Sequence, residues 1–173
     1  MAWKLDHTHS SVGFSGKHML VATVRGQFRN WNAETTIDEQ KLENSTATIR
    51  IDAASIDTGV ADRDNHLRSA DFFDIENHPE IVFVLNKVTG KGDDCRFVGD
   101  LSIRGVTNEV VLSGEIDGPL QDPWGGWRIG VSAEGKLNRK DWGLTFNAPL
   151  AAGGVLVGDQ IKISIDAELV KAD

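Results

Sequence analysis

The chain has 173 residues, 40% hydrophobic and 25% charged, with a formal net charge of -8 and a pI near 5.1. That length suits one domain with a sizeable core, and residues 1–173 are read as a single domain. The acidic balance argues against a nucleic-acid partner, whose phosphates call for a basic surface, and against simple electrostatic docking on an anionic membrane.

The one cysteine, Cys95, allows no intramolecular disulfide. No apolar run reaches the ~18 residues of a membrane helix, so no transmembrane segment is expected. No basic leader with an apolar centre precedes the first alternating residues. The expected address is the cytoplasm, or the periplasm for a chain whose leader has been removed.

Alternation of apolar and polar residues, the mark of a half-buried strand, recurs along the chain. Val12, Phe14, Gly16 and His18 share one face of the first run. Ala47, Ile49 and Ile51 follow, and then Ile81, Phe83 and Leu85. Phe97, Gly99, Leu101 and Ile103 form the next face, followed by Val110, Leu112 and Gly114. Two longer runs close the chain: Ile129 to Leu137 and Ile161 to Leu169, each apolar at every second position. Turn signals such as Gly90-Lys91-Gly92 and Arg104-Gly105 separate them, so neighbours are antiparallel. About eight strands with two edges to hide predict an all-β, extended antiparallel barrel, with a two-sheet sandwich as the competing arrangement. The segment Asp62 to Phe73 breaks the pattern. Leu67, Ala70 and Phe73 at three-residue spacing, with Asp62 and Asp64 in a first turn, predict a short helix near residues 62–73 across one barrel mouth.

The inward faces carry many small residues: Gly16, Ala47, Gly99, Ala133, Gly135 and Ala167. Small side chains on long strands leave a volume deficit against normal packing density, which predicts an apolar cavity lined by Phe14, Ile49, Phe83, Leu101, Val131 and Leu137. The apolar, glycine-rich stretch Ala148 to Gly158 fits three roles: a core plug, a gate, or a surface pairing with a second copy of the chain as a homodimer.

His7 and His9, two apart on one side of a strand, raise a metal reading that His18 and His66 would have to complete. No CxxC, HExxH or facial-triad spacing supports it, and no metal is expected. Arg63, Asp64, His66 and Arg68 crowd the expected helix, where an ion-pair network competes with an acid–base pair or an anion clamp. Arg139 and Asp141 form a similar group. No nucleophile elbow, phosphate-binding loop or dinucleotide fingerprint is present.

The opening WKLDHTHSSVGFSGKHM, the segment SIDTGVADRDNHLRSADFFDIENHPEIVF, the run FVGDLSIRGVTNEVVL and the later LNRKDWGL occur in the order expected of one family. Together they resemble the YceI-like, or polyisoprenoid-binding, family across essentially the whole chain. The resemblance implies an extended lipocalin-like barrel around an elongated pocket for isoprenoid chains, quinones or related amphiphiles. It places Phe14, His18, Arg63, Asp64, His66, Leu67, Arg68, Phe72, Arg139, Asp141 and Trp142 at motif positions. The candidate lipid-contacting residues are Phe14, His18, Phe28, Ile49, Leu67, Phe72, Phe83, Leu101, Val131, Ala133, Gly135, Trp142 and Phe146. Arg63, Asp64, His66, Arg68, Arg139 and Asp141 are candidates for head-group or structural polar roles. The expected function is binding, storage or transport of a long isoprenoid lipid, with that lipid as partner and no cofactor. An enzyme acting on such a lipid through Arg63, Asp64 and His66 is the competing class.

Overall fold

The computed structural model describes residues 3–19, 21–148 and 157–171. Its strands are β1 (Lys4–Leu5), β2 (Ser11–His18), β3 (Ala22–Phe28), β4 (Trp31–Thr36), β5 (Thr46–Asp52) and β6 (Ile56–Asp57), followed by β7 (Glu80–Lys91), β8 (Asp94–Ile103), β9 (Val106–Gln121), β10 (Trp127–Asn138) and β11 (Val157–Lys171). They form one sheet in the order β4-β5-β7-β8-β9-β10-β11-β2-β3-β6, with β1 added on β11. Every pairing is antiparallel. The sheet curls on itself as a lipocalin-like half-barrel, and the sandwich arrangement is set aside.

The curl is closed by one stretch of chain. β5 lies beside β4 and β7, turns through Ala53–Ser55, and continues as β6 against β3. Backbone bonds from Asp52 N to Asn30 O (3.0 Å) and from Arg29 N to Ser55 O (3.2 Å) stitch the seam. Joining the two ends of the sheet in this way pairs part of the donors and acceptors that open edges would leave free.

The expectation of about eight strands falls short of eleven. β1 and β6 have two residues each, too few to show alternation. β3 and β4, consecutive in the chain but paired to different neighbours, draw no strand expectation because their inward residues include Ala22, Gly26 and Thr35, which dilute the apolar signal. β7 also contains a bulge between Leu85 and Lys87, which moves the inward face from Ile81, Phe83 and Leu85 to Val88.

The helix, α1 (Ala61–Arg68), ends five residues earlier than expected. Ser69 stops it: its backbone N–H and its hydroxyl both donate to the His66 carbonyl, and Phe73 N takes the Leu67 carbonyl. Phe72 and Phe73 therefore lie on the turn that follows α1. Arg104 Nη1 holds that turn by donating to Phe72 O at 2.9 Å.

The small inward residues have two separate meanings. A Cβ on Gly99 would lie 2.5 Å from Phe83 Cζ, one on Gly135 2.6 Å from Leu112 Cδ2, and one on Gly26 2.5 Å from Phe14 Cζ. These glycines leave no hole, because a large neighbour lies flat across each of them. The alanines, by contrast, do border open space.

Candidate functional site

A cavity of about 570 Å³ opens at the α1 end of the barrel. The volume falls within the ~300–1,000 Å³ usual for ligand pockets. Its walls come from alternate positions of eight strands. Val12 and Phe14 belong to β2, Phe28 to β3, Ile49 and Ile51 to β5, Ile81 and Phe83 to β7, Leu101 to β8, Leu112 to β9, Leu137 to β10, and Ile163 and Ile165 to β11.

Of the expected lipid-contacting residues, Phe14, His18, Phe28, Ile49, Leu67, Phe72, Phe83, Leu101, Trp142 and Phe146 line this cavity. Val131 and Ala133 do not. They line a second, inner cavity of about 110 Å³ beyond it, together with Trp31, Ala47, Phe97 and Ala167. Gly135 lines neither, because Leu112 covers it. Lys17, Asp62, Phe73 and Ile161 also line the large cavity and were not among the expected residues. The strand alternation already pointed Ile161 inward. Lys17 belongs to the opposite set on β2 and carried no such signal.

Ile49, Phe83, Leu112 and Ile165 border both cavities. The two therefore adjoin along the inside of the barrel as an outer and an inner chamber, with those four side chains standing between them as a neck. Residues Trp3, Ile129 and Leu169 seal the inner end. The inner chamber contains one unusual atom: Thr35 Oγ1 is buried and has no hydrogen-bond partner among the described residues.

At the mouth, His66, Phe72 and Phe146 form a triangle of edge-on rings with centroids 4.8–5.3 Å apart. His66 Nε2 lies 2.9 Å from Asp71 Oδ2 on the outer side. Of the expected ion-pair network on the helix only this contact forms, and among the described residues neither Arg63 nor Arg68 pairs with a carboxylate. Arg63 instead donates through Nε to Thr58 Oγ1 (2.7 Å) and through Nη2 to Thr58 O (2.8 Å). Asp64, the buried residue of α1, accepts from Thr58 N at 2.9 Å and from the Thr58 hydroxyl. Arg68 donates to the backbone carbonyls of Ala54 (2.8 Å) and Ile56 (3.1 Å), pinning α1 to the seam. The reason is local: β5 and β6 leave carbonyls unpaired where the chain turns, and a guanidinium satisfies them at short range.

Arg139 follows the same rule. It is 4% exposed and donates to the carbonyls of Gly158 (2.9 Å), Leu144 (2.5 Å) and Val157 (3.3 Å). Burial lowers the pKa of its guanidinium, with Asp159, 3.8 Å away, working in the opposite direction. Asn147 adds a reciprocal pair, donating to Val157 O at 2.7 Å while its Oδ1 accepts from Val157 N at 3.0 Å. The apolar stretch expected to act as plug, gate or dimer surface lies mostly between these clamped ends, at 149–156, outside the described residues. Asp141 is exposed and does not line the bore, and its carbonyl accepts from Asn108. Trp142 is buried, and its indole donates to Leu101 O at 2.8 Å.

His7 and His9 lie on a short 3-10 turn, His7–His9, at the closed end, while His18 and His66 are at the mouth. Asp6, His9 and Glu168 bring their ligand atoms within 4.8 Å of one another. Arg128 joins that group. It donates to Glu168, to Asp6 (3.3 Å) and to Asp122 (3.0 Å). The bond and charge of Asp6 raise the pKa of His9, and the same bond lowers that of Asp6. Burial pushes the Asp122 carboxyl up, but bonds from Arg128, Trp124 N and Gly126 N pull it below its ordinary value.

Comparison with known proteins gives a consistent picture. A family model described as a YceI-like domain matches residues 3–169. A UPF0312 protein of Staphylococcus epidermidis is 36% identical over 167 residues, covering 96% of this chain and 95% of that protein. A UPF0312 protein of Photorhabdus laumondii is 39% identical over 142 residues, covering 82% and 73%. The crystal structure of the Campylobacter jejuni YCEI protein superposes with a TM-score of 0.78 at 29% identity, covering 91% of this chain and 90% of that one. A polyisoprenoid binding domain from Saccharophagus degradans shares the fold, with a TM-score of 0.68 at 15% identity and 98% of each chain covered.

Proposed function

The chain belongs to the YceI-like family, and we propose that it binds a long isoprenoid lipid in the bore and carries it unchanged. The observation that carries this reading is the cavity of about 570 Å³, walled by aliphatic and aromatic side chains and open at one end. An apolar chain leaving water gains about 0.8 kcal/mol per buried methylene, so a deep bore favours long ligands over short ones. Lys17, His18, Arg63 and His66 around the mouth give a polar head group a place at the water boundary. The Saccharophagus degradans domain, which shares the fold, is described as binding polyisoprenoids and so supports the choice of lipid class.

Carriage is preferred to catalysis because the polar groups near the mouth do not converge on one point. Asp64 is committed to Thr58, and His66 faces Asp71. The test is organic extraction of freshly purified protein followed by mass spectrometry. The expected result is an isoprenoid lipid recovered in one chemical form. Recovery of a related substrate and product would favour the enzyme instead. A protein that yields no lipid and binds no prenyl alcohol on titration would overturn the proposal.

A further inference from the structure

We propose that the inner chamber is a subsite for the far end of a long chain, and that Phe83 and Leu112, seated on Gly99 and Gly135, decide how long that chain can be. The inference rests on reading the bore as a lipid site, and it adds a ruler to it.

The neck has a distinctive build. Phe83 on β7 and Leu112 on β9 project from the strands on either side of β8 and border both chambers. Each lies against a glycine: Gly99 under the Phe83 ring and Gly135 under the Leu112 methyl. A large side chain can lie flat on a sheet only where its neighbour has no Cβ. The two glycines thus hold the neck side chains against the wall and keep the passage open. Adding a methyl at either glycine would lift the side chain off its seat. The wall is on one side, so the free direction is into the bore. Gly135 is the cleaner site for such a change, because the nearest atom is the end of a flexible leucine and the closest backbone atom is 3.3 Å away. At Gly99 the Val84 carbonyl stands 2.5 Å from the new Cβ, so the backbone itself would resist.

Beyond the neck the walls are smoothed by alanines, Ala133 among them, and the chamber is apolar apart from Thr35, Ser45 and Thr46. A chain that fills only the outer chamber stops at Phe83 and Leu112. A longer one passes between them and buries its last units against Ala133.

The experiment titrates farnesol, geranylgeraniol and longer prenyl alcohols against the delipidated parent, Gly135→Ala and Ala133→Leu, with thermal melts to report folding. Gly135→Ala narrows the neck, and Ala133→Leu fills the chamber behind it. Both variants are expected to match the parent for farnesol and to lose roughly tenfold in affinity for the longest alcohol, the worth of a few methylenes no longer buried. A parent-like length profile in both variants would overturn the ruler while leaving lipid binding intact. A parent that binds none of the alcohols would overturn the proposed function, and the ruler with it. If Gly135→Ala fails to fold, the length profile of Ala133→Leu decides the matter.

Discussion

The two ends of the barrel use arginine in opposite ways. At the mouth, Arg63, Arg68 and Arg139 donate mainly to neutral backbone carbonyls and a threonine, with Asp159 a more distant partner of Arg139 at 3.8 Å. At the closed end, Arg128 meets three carboxylates, with a histidine beside them. A carbonyl does not titrate and is little affected by salt, whereas surface ion pairs are screened and depend on pH. The open end, where backbone groups would otherwise be exposed to a cavity, is therefore held by interactions insensitive to the medium. The closed end is held by interactions that respond to it.

Replacing the mouth arginines gives the largest expected effect. Arg139→Met keeps an apolar stem but leaves the carbonyls of Leu144 and Gly158 without this donor, while Val157 O keeps the Asn147 amide. At about 1–3 kcal/mol for each buried group left unsatisfied, chemical denaturation should show a loss of about 3 kcal/mol or more. Arg68→Met removes partners from two half-buried carbonyls, and about 1–2 kcal/mol is expected by the same measurement. Neither loss should shrink in high salt.

Arg128→Met should cost less than either, and its cost should fall further when denaturation is repeated at about 1 M salt, where the Debye length is ~3 Å. A loss equal to that of Arg139→Met, or one unaffected by salt, would erase the distinction between the ends. The closed end should also respond to pH. Asp6 and Asp122 have folded values below the ordinary 3.8, so their contribution is present above that value and disappears as pH falls through the folded values. His9 is raised above 6.5, so its contribution is complete below 6.5 and is lost as pH rises through the folded value. Thermal midpoints should thus peak between these limits, and His9→Ala should remove the alkaline decline and, with the Asp6–His9 bond gone, soften the acid decline as well.

The smallest expected effect is at Thr35, whose hydroxyl faces the inner chamber without a partner. Thr35→Val exchanges an unsatisfied buried group for a methyl of similar shape, and the thermal midpoint of the delipidated protein should stay level or rise. A clear fall would mean that the hydroxyl is satisfied in solution, by water in the chamber.

Much of this architecture was legible in the sequence. The long strands were readable because Val12 to His18, Ile129 to Leu137 and Ile161 to Leu169 alternate without interruption. Ten of the thirteen residues named for lipid contact line the large cavity; alternation supplied Phe14, His18, Ile49, Phe83 and Leu101 among them, and the family resemblance Leu67, Phe72 and Trp142. The unread parts share a cause. Whether an inward glycine opens a void or seats a neighbour depends on which side chain leans across it, and Gly135 and Ala133 look alike in sequence. The partners of Arg63 and Arg68 were misread because nearby aspartates are visible in a sequence, while the unpaired carbonyls of Ala54 and Ile56 arise only from the turn of the chain.

The clamp at Arg139 and Asn147 has a practical consequence. Because the guanidinium and the amide tie Leu144 and Asn147 to Val157 and Gly158, the barrel wall is fixed on both sides of the intervening stretch. The start of β11 at Val157 is therefore held by side chains as well as by its pairing with His18, and a fluorophore on Lys17, which lies against Gly158, would report locally on whether the clamp is intact.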